Sequence, residues 1–342
     1  MRAFITGVAG TALTDEERRF LSETQPWGLI IFKRNIAGPE PLRRLIDDVR
    51  AAVGHDAPVL VDQEGGRVQR LGPPHWPSYP PGAAYGALFD RDREQGLAAA
   101  RLGARLIAAD LAVLGIDVDC LPIADVPVAG ADPVVGDRAY GTQLDKVAAL
   151  AGAIAAGLAE GGVLPVLKHI PGHGRATADS HARLPVVSAS RDALNATDFA
   201  AFRALNALPM AMTAHVVFSA IDPVTPATLS ARIVRDVIRD SIGFQGLLMS
   251  DDISMGALSG SLAERTSAAI AAGCDVVLHC NGEMPEMRAV ATAVPVLAGE
   301  AARRAVAALA MKRPAAPIDL AASRAEFSRL MAGTWQPAEG CA

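Results

Sequence analysis

Eight short apolar runs, each bounded by turn residues, constrain this chain more than any other feature. They are AFITGV (3–8), GLIIF (28–32), PVLVD (58–62), IDVDCL (116–121), VLPVLKH (163–169), PMAMTAHV (209–216), GLLMSD (246–251) and CDVVLHC (274–280). Runs of this length without regular polar alternation suit strands covered on both faces, as in a parallel sheet. Between them the apolar spacing becomes helical, for example over PLRRLIDDVRAAV (41–53), QGLAAARLGARLIAADLAVLG (95–115), LDKVAALAGAIAAGLAEGG (144–162) and AERTSAAIAAG (263–273). Strands alternating with helices predict an α/β fold, and eight strands with intervening helices predict a (β/α)8 barrel, with an eight-stranded doubly wound sheet as the alternative.

The barrel makes a demand that can be checked, because its active site is built at the C-terminal ends of the strands. The runs end on or near Asp62, Asp119, Lys168 with His169, His215, Asp251 and His279, so polar side chains gather where a barrel places chemistry. The stretch LGPPHWPSYPPG (71–82) follows a strand and a GGRVQR turn, and is expected to form a long loop over the barrel mouth. One unit is expected over 1–342, with a core to about 312 and a short amphipathic helix and polar tail over 313–342.

Composition narrows the classes of function. Charged residues make up 20% of the chain, with a net charge of -5 and no long run of one sign, which gives a nucleic-acid partner no basic face. No stretch reaches the roughly 18 consecutive apolar residues of a membrane helix, and the N-terminus lacks the apolar core of a signal peptide. Cys120, Cys274, Cys280 and Cys341 form no CxxC pair, as expected of buried or incidental thiols in a reducing compartment. A soluble, cytoplasmic protein is expected.

The densest cluster of chemistry-bearing residues is LKHIPGHGRATADSH (167–181). His169 and His173 have the spacing of a helical zinc pair, but Pro171 and Gly172 between them oppose a helix and no HExxH glutamate is present. A loop zinc site using these histidines and Asp179 stays open. In Asp179-Ser180-His181, residues two apart in an extended segment share a side, so the carboxylate could fix the imidazole tautomer and leave the other nitrogen for proton transfer. A turn-capping Asp179 with a solvated His181 is the competing reading. In LLMSDDISMGA (247–257) one of two adjacent carboxylates must face the barrel axis; Asp251 is the inward candidate and Asp252 a cap for the following helix. A positioned aspartate is what covalent catalysis at an anomeric carbon needs. Asp62, Arg70, Arg138, Lys168 and His169 supply the mixed donors and acceptors that sugar hydroxyls require, although Arg138 could instead pair with Asp137 as a structural ion pair. His215 and His279 are expected to be satisfied core histidines.

Taken in order, VDQEGGRVQRL, VVGDRAYG, KHIPGHGRATADSH and SDDISMGA resemble glycoside hydrolase family 3, and within it the single-domain bacterial β-N-acetylglucosaminidases of peptidoglycan recycling, over about residues 6–290. The resemblance implies the (β/α)8 barrel, Asp251 as nucleophile, His181 as general acid/base oriented by Asp179, and Asp62, Arg70, Arg138, Lys168 and His169 as ligands to a terminal N-acetylglucosamine. It implies no metal and no cofactor, a small sugar substrate rather than a nucleic-acid or membrane partner, and a monomer. Ile170, Tyr140 and Ile253 depart from the family's usual phenylalanine, phenylalanine and leucine, changes of packing rather than of reacting groups. A family 3 β-glucosidase or phosphorylase, a zinc-dependent hydrolase and a silent sugar-binding barrel are the alternatives.

Overall fold

The computed structural model describes residues 1–336, and every one of the eight runs is a strand of one closed barrel. In chain order the strands are β1 (Arg2–Thr6), β2 (Pro26–Ile31), β3 (Val59–Val61), β4 (Val118–Asp119), β5 (Leu164–Ile170), β6 (Met210–Thr213), β7 (Leu247–Asp252) and β8 (Val276–His279). Each pairs in parallel with its neighbours in sequence, and β8 closes on β1 through Phe4 opposite Val277 and Ile5 opposite Leu278. A doubly wound sheet is thereby excluded.

Helices cover the outside of the barrel for the reason the spacing suggested. In Pro39–Val53, Leu42, Leu45, Ile46, Val49 and Val53 are buried and fall on one stripe. Thr14 caps Asp15–Thr24 and Ser261 caps Leu262–Ala272, each through a reciprocal box with the glutamate three residues on. Arg93–Ala112 and Leu144–Glu160 cross closely because Gly157 faces Arg101, where an added Cβ would stand 2.1 Å from the carbonyl oxygen.

The two barrel ends carry different electrostatics. At the N-terminal end, buried Asp117 pairs with Arg50 at 2.6 Å and with Lys312, and buried Asp275 pairs with Arg239 at 2.9 Å and Arg304 at 3.0 Å. Both carboxylates are matched by arginine or lysine from the surrounding chain, a structural use of charge. The C-terminal end holds the cavity described below.

The last described helix, Leu320–Met331, buries Phe327 and Met331 and packs against Arg93–Ala112, where Arg324 pairs with Asp110 at 2.6 Å. Cys341 and the rest of the polar tail lie outside the described residues. Among the described residues the other three cysteines are buried free thiols, and no helix is long and apolar enough to cross a membrane.

Candidate active site

A cavity of about 330 Å³ opens at the C-terminal end of the barrel, at the small end of the range for sites that hold small molecules. Strand-end positions and the loops behind β3, β4, β5 and β7 line it, among them Asp62, Glu64, Arg70, Arg138, Lys168, His169, Asp179, His181 and Asp251. All eight residues singled out from the sequence for catalysis or sugar binding therefore face one space.

The floor is an ion network. Lys168, 1% exposed at the end of β5, donates to Asp62 at 2.9 Å and pairs with Glu64 at 2.6 Å. Arg70 donates to the other oxygen of Asp62 at 2.9 Å, while Arg138 grips Glu64 with two bonds of 2.8 and 2.7 Å. Burial alone would raise both carboxyls, but Lys168 and Arg70 hold Asp62 far below the usual carboxylate range. For Glu64, Arg138 and Lys168 outweigh burial and hold it at about 2. The same partners overcome the desolvation of Lys168 and Arg138 and raise both above their ordinary values. Three cations, Lys168, Arg70 and Arg138, thus meet two anions, with bidentate Arg138 setting the geometry.

Glu64 was not foreseen. Asp137, the alternative partner for Arg138, instead pairs with Arg67 at 3.1 Å on the exposed side. The correction has a simple cause: Gln63–Gly65 and Val68–Gln69 form a small hairpin that turns Glu64 inward over the barrel, 74 residues from Arg138 in sequence. Gly65 makes this possible, with φ +94° and the Pro80 carbonyl 2.2 Å from where a Cβ would be. The Pro-rich loop buttresses that hairpin from outside, through Gln69 Nε2 to Leu71 and Pro77 and Tyr79 N to Gln69. It lines a neighbouring cavity that shares only Arg70 with this one, and does not cover the mouth as expected.

Behind Lys168, His169 is nearly buried and its Nδ1 lies 2.7 Å from Asp125, a second residue that sequence reasoning missed. Asp125 also accepts the His173 amide at 2.6 Å, and burial, which would raise its carboxyl, is outweighed by His169 and His173. The only signal for it was a lone carboxylate in the apolar stretch CLPIADVPVAG, which demands a buried partner. His173 is 4% exposed and donates or accepts with Ser180 Oγ at 3.0 Å through Nε2, while burial lowers its imidazole to about 4. It braces the loop and stays neutral near pH 7.

Asp179 and His181 pair as expected, with Nδ1 2.8 Å from Oδ1, but for a different reason. The segment is a turn, not a strand: the Ala182 and Arg183 amides donate to the Asp179 carbonyl, and Asp179 Oδ1 also accepts the His181 amide at 2.9 Å. Such an aspartate-led turn, in which the side chain bonds the backbone two residues on, holds carboxylate and ring together. Although its slight burial opposes it, these two bonds to His181 lower the Asp179 carboxyl.

At the end of β7, Asp251 faces the cavity and accepts the Asp252 amide at 2.8 Å. Burial would raise its carboxyl, but His215, His169, the Asp252 amide and Lys168 outweigh it, so the group is held below the ordinary aspartate range. Asp252 does not cap the following helix, where Ser261 already serves; it turns the chain by accepting Ser254 N at 3.0 Å and Oγ at 2.8 Å. His215 is the satisfied core histidine expected, bonded to Thr228 Oγ1 at 2.7 Å and the Asp252 carbonyl at 3.0 Å. His279 meets that expectation on one nitrogen, through Glu286, and its Nδ1 has no partner. Among the described residues no three His, Cys, Asp or Glu side chains are grouped to hold a metal ion.

The comparisons with known proteins agree with the fold. The beta-hexosaminidase of Alkalilimnicola ehrlichii is 40% identical over 279 residues, covering 80% of this chain and 79% of that protein. The crystal structure of NagZ from Neisseria gonorrhoeae with N-trifluoroacetyl-D-glucosamine superposes with a TM-score of 0.86 at 30% identity, over 97% of this chain and 98% of that one. A structure of the same neisserial protein with a zinc ion gives 0.82 at 31% identity, over 97% and 96%. The glycosyl hydrolase family 3 N terminal domain matches residues 5–311, nearly the whole barrel and its cavity, and the chain belongs to that family.

Proposed function

We propose that the protein is a retaining exo-β-N-acetylglucosaminidase that removes terminal β-linked N-acetylglucosamine from peptidoglycan fragments such as GlcNAc-1,6-anhydro-MurNAc, with or without peptide, in cytoplasmic cell-wall recycling. The observation that carries this reading is the presence, in one small cavity, of an ionised Asp251, an exposed imidazole–carboxylate pair and a fixed set of charged sugar ligands. The relatives named beta-hexosaminidase and the amino-sugar in the neisserial structure support the choice of sugar.

In the first half-reaction Asp251 attacks the anomeric carbon, the bond to the leaving oxygen breaks, and protonated His181 delivers its proton to that oxygen. In the second, neutral His181 takes a proton from water, which attacks the same carbon and releases Asp251 as carboxylate. Most retaining glycosidases assign the proton transfer to a second carboxylic acid of raised pKa. A histidine does the same work near neutrality, with Asp179 fixing the tautomer through Nδ1 and leaving Nε2 for the leaving oxygen. Asp62, Glu64, Arg138, Lys168 and His169 hold the ring in place and need no cofactor. The protein acts as a monomer in this scheme.

Replacing Asp251 by Ala or Asn is expected to lower kcat by at least about 10⁴-fold, since no other group supplies the covalent intermediate. A 5-fluoro N-acetylglucosaminyl trapping reagent followed by mass spectrometry should label Asp251; label elsewhere overturns the assignment. Hydrolysis of 4-nitrophenyl N-acetyl-β-glucosaminide should exceed that of the glucoside and proceed without phosphate. Preference for the glucoside, dependence on phosphate, or loss of turnover when stoichiometric zinc is chelated would each replace this reading.

A further inference from the structure

The loop that carries His181 and the loop that follows Asp251 meet at a single backbone seam. Gly256 N donates to the His181 carbonyl at 3.2 Å, and Ala257 N donates to the Ser180 carbonyl at 3.1 Å. A Cβ added to Gly256 would stand 2.8 Å from the His181 oxygen and 3.1 Å from that of Ala182, and its three nearest neighbours are all backbone atoms of residues 181 and 182. Gly256 does not sit among the glycines with left-handed φ, so the backbone itself would accept an alanine there. Its missing side chain is explained by the approach of the His181 loop alone.

We propose that Gly256 is a positioning residue, a flat seat on which the general acid/base loop docks against the nucleophile's own loop. The inference rests on the reading of His181 as acid/base. The seat side of the seam is rigid: Arg265 Nη1 donates to the Ile253, Ser254 and Met255 carbonyls at 3.2, 3.4 and 3.2 Å, and Asp252 bonds Ser254. That bracing occupies the carbonyls just before Gly256 and leaves the next two amides to face the loop. On the loop side, besides the seam, Ser180 meets His173, Arg175 donates to Asp198 at 2.6 Å and to Thr197 at 2.9 Å, and the Ala176 carbonyl accepts Asp132 N at 2.8 Å, while His181 itself is 66% exposed at the side chain. The geometry ties the proton donor to the nucleophile through two amides, so that both address one anomeric centre.

A methyl at position 256 displaces the carbonyls of residues 181 and 182 and with them the imidazole, while Asp251 and the sugar ligands stay in place. Proton transfer matters most when the departing alcohol is a poor leaving group, and a misplaced acid forfeits part of the 10²- to 10⁴-fold that such catalysis supplies. For Gly256→Ala we expect kcat to fall roughly 10- to 100-fold on alkyl and sugar aglycones, and by less than about threefold on a dinitrophenyl aglycone, with KM for the shared sugar and labelling of Asp251 by a 5-fluoro glycosyl fluoride unchanged. His181→Ala run beside it separates the two ideas. If His181→Ala shows this leaving-group dependence and Gly256→Ala shows none, or loses activity equally across the series, the seat is wrong and the acid/base reading stands. If His181→Ala also loses activity equally across the series, the acid/base reading itself has failed. The unaltered protein offers a check independent of any variant: hydrogen exchange at the Gly256 and Ala257 amides should be slowed by saturating sugar inhibitor, and free exchange at both in that complex would overturn the seam.

Discussion

Two imidazole–carboxylate pairs of almost equal length stand at the same end of the barrel. His169 Nδ1 is 2.7 Å from Asp125 with side-chain exposures of 8% and 0%, and His181 Nδ1 is 2.8 Å from Asp179 with exposures of 66% and 44%. Distance does not separate them; surroundings do. In the buried pair the Asp125 carboxylate also takes the His173 amide, so it fixes the His169 ring, which lines the cavity, and the start of the loop. The exposed pair rests on a turn open to solvent, which is what the proton exchange proposed for His181 requires.

The sharpest way to break this contrast is to cut each carboxylate. Asp125→Ala leaves a buried imidazole and a buried amide without their acceptor, and removing one partner of a buried pair costs about 3–5 kcal/mol. The expected outcome is a thermal midpoint lowered by several degrees and a loss of activity on every substrate, read by calorimetry and by assay at a temperature where the variant is still folded. A variant of unchanged midpoint would show that the buried pair is not structural.

Asp179→Ala is the matched cut on the exposed side. It should leave the thermal midpoint within the small range of surface substitutions, since the carboxylate is 44% exposed and its bonds are to its own turn. It should nonetheless lower kcat by roughly 10-fold or more on poor leaving groups, because the imidazole loses its fixed tautomer. Stability falling as far as in Asp125→Ala, with no leaving-group dependence, would make the two pairs equivalent.

The sequence displayed the strands and their polar ends because each barrel strand must be apolar on both faces and must stop at a turn, a pattern written in consecutive residues. Asp62, Lys168 and Asp251 were legible for that reason, as inward positions at strand ends. Glu64 and Asp125 were not, since their roles depend on partners 74 and 44 residues away and on a hairpin whose register no local pattern states. The pairing of Asp179 with His181 follows from adjacency in either reading: the extended segment is absent, and the turn, which the sequence offered as the competing reading, brings the two together through backbone bonds to the Asp179 carbonyl. The Pro-rich loop was placed on the right end of the barrel and given the wrong neighbour, because proline content reveals stiffness and not the surface against which a stiff segment rests.

His173 offers the smallest and most selective test, because it belongs to the buried side and touches the exposed loop. Burial holds its imidazole at about 4, below the ordinary histidine value near 6.5. The unfolded chain therefore binds a proton at this position more readily than the folded protein, and stability rises with pH wherever the unfolded state holds the extra proton. The contribution is greatest above about 6.5 and is lost as the pH falls from 6.5 toward 4, before most carboxylates titrate. Denaturant unfolding measured across this window should show the decline in the native protein and a flatter profile in His173→Gln, which keeps a polar atom for Ser180 but cannot titrate. Asp179→Ala should leave the slope in place, since it touches only the exposed pair. If it flattened the profile as His173→Gln does, the two pairs would form one coupled network, and the separation of a structural dyad from a proton-exchanging one would have to be given up.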